Sequence, residues 1–106
     1  LHLFAKHHSK TTGKAGKVGH QSVGFKNYTK RTKKLIKIYS YVGENIHYGS
    51  PDAKEIVIDL LIDDGIKDVG HRKNILSDTF IYASTSIQPH KKHRQNCVIE
   101  FGGKLN

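Results

Sequence analysis

Apolar positions along the chain change their period several times, and each change marks a new element. Leu1, Phe4, Ala5 and His8 follow an i, i+3, i+4, i+7 spacing, so residues 1–9 read as the end of a helix. Residues 10–24 are rich in Gly, Lys, Thr and Ser and read as a loop. From Phe25 to Lys37 an apolar face of Phe25, Tyr28, Thr32, Leu35 and Ile36 predicts a short basic helix. Ile38 to Val42 is aromatic and β-branched and reads as a short strand, with Gly43-Glu44-Asn45-Ile46 forming a turn after it.

The clearest helix signal follows. Ser50 is a good N-cap, Pro51 suits the first helical position, and Asp52 complements the helix dipole. The helix is predicted to run to Asp64 and to stop at Gly65. It is apolar over most of its girth, from Ala53 to Ile62, which makes it a central packing element. Its polar stripe of Asp52, Glu55, Asp59 and Asp63 reads as the solvent side, whereas Asp64 leans toward the buried side. Residues 79–87 alternate, with Ile81, Ala83, Thr85 and Ile87 on one face of a strand. Residues 95–101 read as a second strand, with Cys97, Ile99 and Phe101 on one face, and residues 88–94 form a basic hairpin loop. The order predicts one α+β domain over residues 1–106, a small antiparallel sheet of about three strands covered by helices.

Composition narrows the class. The 106 residues contain 36% hydrophobic positions and one cysteine, so a modest core is expected and a disulfide-stapled or zinc-finger module is not. No apolar run reaches the roughly 18 residues of a membrane-spanning helix. The chain starts at Leu1 and has no Met, which reads as a processed or excised start.

Charge changes the picture more. The net charge is +9, yet residues 1–43 hold ten basic residues and no acid, while residues 44–106 are nearly balanced. Such a basic half suits an anionic surface or a solvated lysine face. Lys26, Lys30, Arg31, Lys33, Lys34 and Lys37 are the candidate anion-binding surface.

Eight histidines raise the question of chemistry. His20 and His71 each follow a glycine in a loop, as Glu44 follows Gly43, and a glycine lets the chain bend and deliver the next side chain into a cleft. Two imidazoles and a carboxylate suit a divalent cation or acid–base work, although spacing alone does not bring them together. Arg72 is a candidate partner of Glu44 or of the helix aspartates. Cys97, within an alternating strand, reads as a buried, inert thiol.

Gly43-Glu44-Asn45-Ile46, the capped helix after Ser50, then Gly70-His71-Arg72-Lys73-Asn74-Ile75-Leu76 and Phe80, in this order, resemble the CAP superfamily, also called the SCP domain. This group holds cysteine-rich secretory, antigen 5 and pathogenesis-related proteins. The match spans residues 5–103, and the Ile62-Asp63-Asp64-Gly65 run and the Cys97-Val98 strand are most similar to small bacterial-type members. The resemblance implies an α-β-α sandwich lacking most of its usual N-terminal helix. It implies a cleft of two histidines and two acids, which carries over to His20, Glu44, Asp64 (Asp63 next) and His71, with His93 a remote alternative. In some members that cleft binds zinc or another divalent cation, here through His20 and His71. It implies a secreted or cell-surface domain that binds a lipid, sterol, glycan or protein, without a required cofactor or a common catalytic activity. The competing expectations are a metal-assisted peptidase with Glu44 as base and a module for anionic surfaces, nucleic acid being the less expected polyanion.

Overall fold

Side chains alternate across a strand, so a central strand with both faces buried must carry two different sets of partners. The computed structural model describes residues 1–50 and 52–106, and in it β3 (Arg94–Gly102) is that strand. It pairs antiparallel with β1 (Val42–Tyr48) on one side and β2 (Tyr82–His90) on the other, in the order β1-β3-β2. Asn96, Val98 and Glu100 face helix α1 (His2–Ala15), where Ala5, Ile46 and Val98 form one apolar cluster. Cys97 and Ile99 face the opposite side. There Ile56 and Leu60 of α3 (Ala53–Ile62) and Ile75 of α4 (Gly70–Leu76) complete a second cluster. Helices thus lie on both faces of a small antiparallel sheet, the α+β class expected. Between α1 and β1 the chain makes only a short α2 (Tyr28–Arg31) and a 3-10 turn (Leu35–Lys37).

α1 runs past Ser9 to Ala15. The Thr11 and Thr12 hydroxyls donate back to the His7 and His8 carbonyls at 2.7 and 2.6 Å. Gly13 is there for space, because a Cβ would overlap the Pro89 carbonyl oxygen. The helix ends at Gly16 (φ 69°), with Gly16 and Lys17 N–H groups donating to Gly13 and Thr12 in a Schellman closure.

The basic helix expected over residues 25–37 is broken in two. Lys26, Lys30, Lys33, Lys34 and Lys37 stand three and four apart with no acid between them, and like charges at that spacing oppose one continuous helix. Asn27 caps the surviving turn, its Oδ1 accepting from Lys30 N–H at 2.9 Å.

The strand lies later than expected. Residues 38–41 fall outside it, and Gly43-Glu44-Asn45 is part of β1 instead of a turn. Gly43 is required there because a Cβ would sit 2.7 Å from the Phe80 ring. Asp52, not Ser50, caps α3, accepting from Glu55 N–H at 3.0 Å; Pro51 lies outside the described residues. Only the Ile56/Leu60 stripe of α3 is buried, and Val57, Ile58 and Ile62 are exposed, so α3 is a flanking helix and not the central packing element expected. β2 begins three residues late and continues through Pro89, which an edge strand tolerates.

Candidate active-site cleft

Glu44 on β1 stands directly across from Glu100 on β3, both turned toward α1. Two buried carboxylates in register repel each other, and a low-dielectric setting sharpens the conflict. Arg31 at the end of α2 resolves it. Its guanidinium donates to both Glu44 oxygens, the Nη1–Oε1 bond measuring 3.0 Å, and to Glu100 Oε1 at 2.9 Å. It also donates to the His20 carbonyl and lies over the Phe4 ring, 4.7 Å from the centroid. Burial alone would raise the Glu44 carboxyl. Hydrogen bonds from His20 and Arg31, with the Arg31 charge, outweigh burial and hold it down at about 2. Glu100 goes the other way, pushed up to about 10 by burial and by the Glu44 carboxylate across the ladder, its Oε2 buried with no hydrogen-bond partner among the described residues. The pair therefore holds one negative charge and one proton near neutrality, and Arg31 balances that charge.

His20 is delivered from the loop after α1. Gly19 (φ 98°) makes the bend, its N–H donating to the Tyr48 hydroxyl at 2.7 Å and its carbonyl accepting from His8 Nε2 at 3.0 Å. Burial lowers the His8 imidazole below its ordinary value, so it stays neutral as this loop anchor. His20 Nδ1 then donates to Glu44 Oε1 at 2.7 Å, with the side chain 47% exposed. Its Nε2 makes no hydrogen bond to the described residues. Its ring meets Tyr28 edge-on at 5.7 Å. Burial raises the Tyr28 phenol well above its usual range. His20, Tyr28, Gly43, Glu44 and Asn74 line a shallow cleft of about 290 Å³.

The Gly-His-Arg segment docks on the strand through backbone and amides. Asn45 Nδ2 donates to the His71 carbonyl at 3.1 Å, and Asn74 Nδ2 donates to Asn45 Oδ1 at 2.8 Å. The His71 imidazole turns away. Its Nδ1 and its backbone N–H both donate to Asp63, at 2.8 and 2.9 Å. Asp63 ends α3 in a left-handed conformation (φ 53°). Burial would raise its carboxyl, but the His71 and Arg72 hydrogen bonds hold it below its ordinary value. The Arg72 backbone N–H donates to Asp63, but its guanidinium pairs with neither Glu44 nor the aspartates and caps the Leu61 and Ile62 carbonyls.

The structure thus brings His20 and Glu44 together and separates the rest of the expected set. Asp64 is exposed and takes no part, because the helix ends at Ile62, two residues before the expected Asp64, and buries Asp63 instead. His71 belongs to Asp63. His93 lies against Tyr48 and His90 at the hairpin. Among the described residues no three His, Cys, Asp or Glu side chains are grouped to hold a metal ion. The four carried-over residues do not form one donor set, since His71 Nδ1 is bonded to Asp63 and Asp64 is exposed. Arg31, expected on an anion-binding surface, is buried beneath the cleft. Glu100 was readable as unusual only in being a carboxylate within an apolar strand. Nothing in the spacing marked Arg31 as its partner.

Comparison of the chain with protein-family models, with curated proteins and with solved structures finds no match.

Proposed function

We infer that the chain is a CAP-type binding domain, working outside the cell or at its surface, whose cleft captures a ligand without turning it over. One observation carries this reading: the Glu44 carboxylate is already spent on Arg31 and His20 and is held at about 2. A general base works best with a value near the operating pH, and Glu44, held far below it and braced by Arg31, does not suit that task. Its work is to orient His20. The imidazole then offers Nε2 to the cleft beside Asn74, an arrangement fit for one hydrogen bond or one coordination bond to a lipid, sterol, glycan or protein ligand. The paired Gly-Glu-Asn and Gly-His-Arg motifs support the family assignment, and the helices on both sheet faces are compatible with it.

Two measurements test the reading. Labelled casein incubated with the protein and zinc is expected to stay intact; cleavage that disappears in Glu44→Gln assigns a hydrolase and overturns it. In a zinc titration, His71→Ala is expected to leave any affinity unchanged, because its Nδ1 serves Asp63. An equal loss in His20→Ala and His71→Ala would mean that the two converge on one metal after all.

A further inference from the structure

Between the N-terminal half of α1 and the broken basic segment lies a second, separate cavity of about 530 Å³. Phe4 and Phe25 give it an apolar wall, and Lys30, Lys33, Lys34 and Lys37 surround it, with His7 at the side. The break between α2 and the 3-10 turn creates this arrangement. One continuous helix would spread those lysines over a solvated face, whereas two short turns curl them around a hollow.

The charge there is uncompensated. No acid lines the cavity. Among the described residues every ion pair uses arginine or histidine, and no lysine is paired with a carboxylate. Arg31 also reaches the cavity wall, but its charge is paired with Glu44 and Glu100. What remains are four ammonium groups that repel one another until an anion enters.

Lysine is a point charge with rotatable donors, suited to phosphate, while the planar fork that favours carboxylate is not free here. A single monovalent anion leaves most of the four charges unmet. The volume lies in the range of small-molecule sites, roughly 300–1,000 Å³, which is short of a nucleic-acid track. Phe25, 46% exposed, adds a contact for a ring or other apolar body. The geometry points to a binding site for a compact ligand bearing at least two phosphate groups on a ring, either free or as a lipid headgroup. The site is independent of the His20 cleft. It keeps Lys30, Lys33, Lys34 and Lys37 of the expected anion surface, adds Phe4, His7 and Phe25, and leaves out Lys26, which lies at another hollow with Lys17 and Gln21.

Calorimetry with inositol hexakisphosphate at low salt tests it. Lys33→Gln/Lys34→Gln is expected to weaken binding at least about tenfold, since screened charge at close range is lost. Both side chains are exposed, and far-UV circular dichroism checks that the fold survives. Lys54→Gln/Lys67→Gln carries the same net charge away from the cavity and is expected to stay within about twofold. Phe25→Ala is expected to weaken binding without changing its salt dependence. Equal losses in the two lysine pairs would reduce the effect to net charge and overturn the site, as would no binding at all. Sedimentation with phosphatidylcholine vesicles, with and without phosphatidylinositol 4,5-bisphosphate, separates the sources. Capture by the phosphoinositide vesicles alone, lost in Lys33→Gln/Lys34→Gln, assigns a headgroup; inositol hexakisphosphate binding without capture assigns a soluble ligand. Tighter binding of single-stranded oligodeoxythymidylate than of inositol hexakisphosphate, lost in the same variant, would replace the proposal with a nucleic-acid surface.

Discussion

Arg31 is the residue on which the cleft depends. It touches two carboxyl groups, a loop carbonyl and an aromatic ring from a helix of one turn. Removing one partner of a buried ion pair leaves an uncompensated charge, so Arg31→Leu is expected to lower stability by about 3–5 kcal/mol in urea denaturation. Glu100→Gln is the informative companion. Glutamine keeps an oxygen that accepts from Arg31 and, like the protonated carboxyl, carries no charge, so at about pH 5, close to where the unfolded chain releases the Glu100 proton, this change is expected to stay within about 1 kcal/mol. Equal losses in the two variants would show that Glu100 is ionised in the folded protein. Gly19 depends on the same residues, since its bend is what turns His20 onto Glu44.

At the scale of elements, several glycines turn out to be contact residues. Gly13→Ala should gain about 1 kcal/mol of helix propensity, yet the new methyl meets the Pro89 backbone. The expected result is a net loss of roughly 1–3 kcal/mol by thermal denaturation, and a stabilised variant would show that α1 and the β2–β3 hairpin can separate freely. Gly13 and Gly43 also explain which elements were legible. Periodicity located the β2 and β3 strands, but the apolar β2 face of Ile81, Ala83, Thr85 and Ile87 is the exposed one, and Ser86 and His90 are buried against α1 instead. It misplaced the end of α1 and the start of β1, because a glycine needed for close approach looks identical in sequence to one needed for a turn. The candidate site divided in the same way. His20 and Glu44 were recoverable from their motif positions, but Asp63 displaced Asp64 through a helix that ends at Ile62 and not at Asp64, and the Arg31–Glu100 contact spans 69 positions that no local pattern links.

For the whole molecule, the buried groups set an uneven response to pH. Glu44 drops from 4.5 to about 2, so the stability it contributes is present above 4.5 and is lost as pH falls through that window. His8, lowered from 6.5 by burial, adds a further loss on the acid side below 6.5. Glu100 retains in the folded state, up to about 10, a proton that the unfolded chain releases near 4.5, so it subtracts stability as pH rises between those values. Above the His8 window, between about pH 7 and 9, the melting temperature is expected to decline in the wild type and to decline less in Glu100→Gln. Parallel slopes would place the alkaline loss elsewhere. Molecular shape carries one more consequence. β2 leaves one side of its backbone unpaired at the margin of the sheet, and its outward face next to α3 is apolar around Ala83 and Ile87. Pro89 withholds a donor from that margin and Lys91 and Lys92 follow at its tip, so the same hairpin that holds α1 also discourages strand-by-strand stacking of one molecule on another.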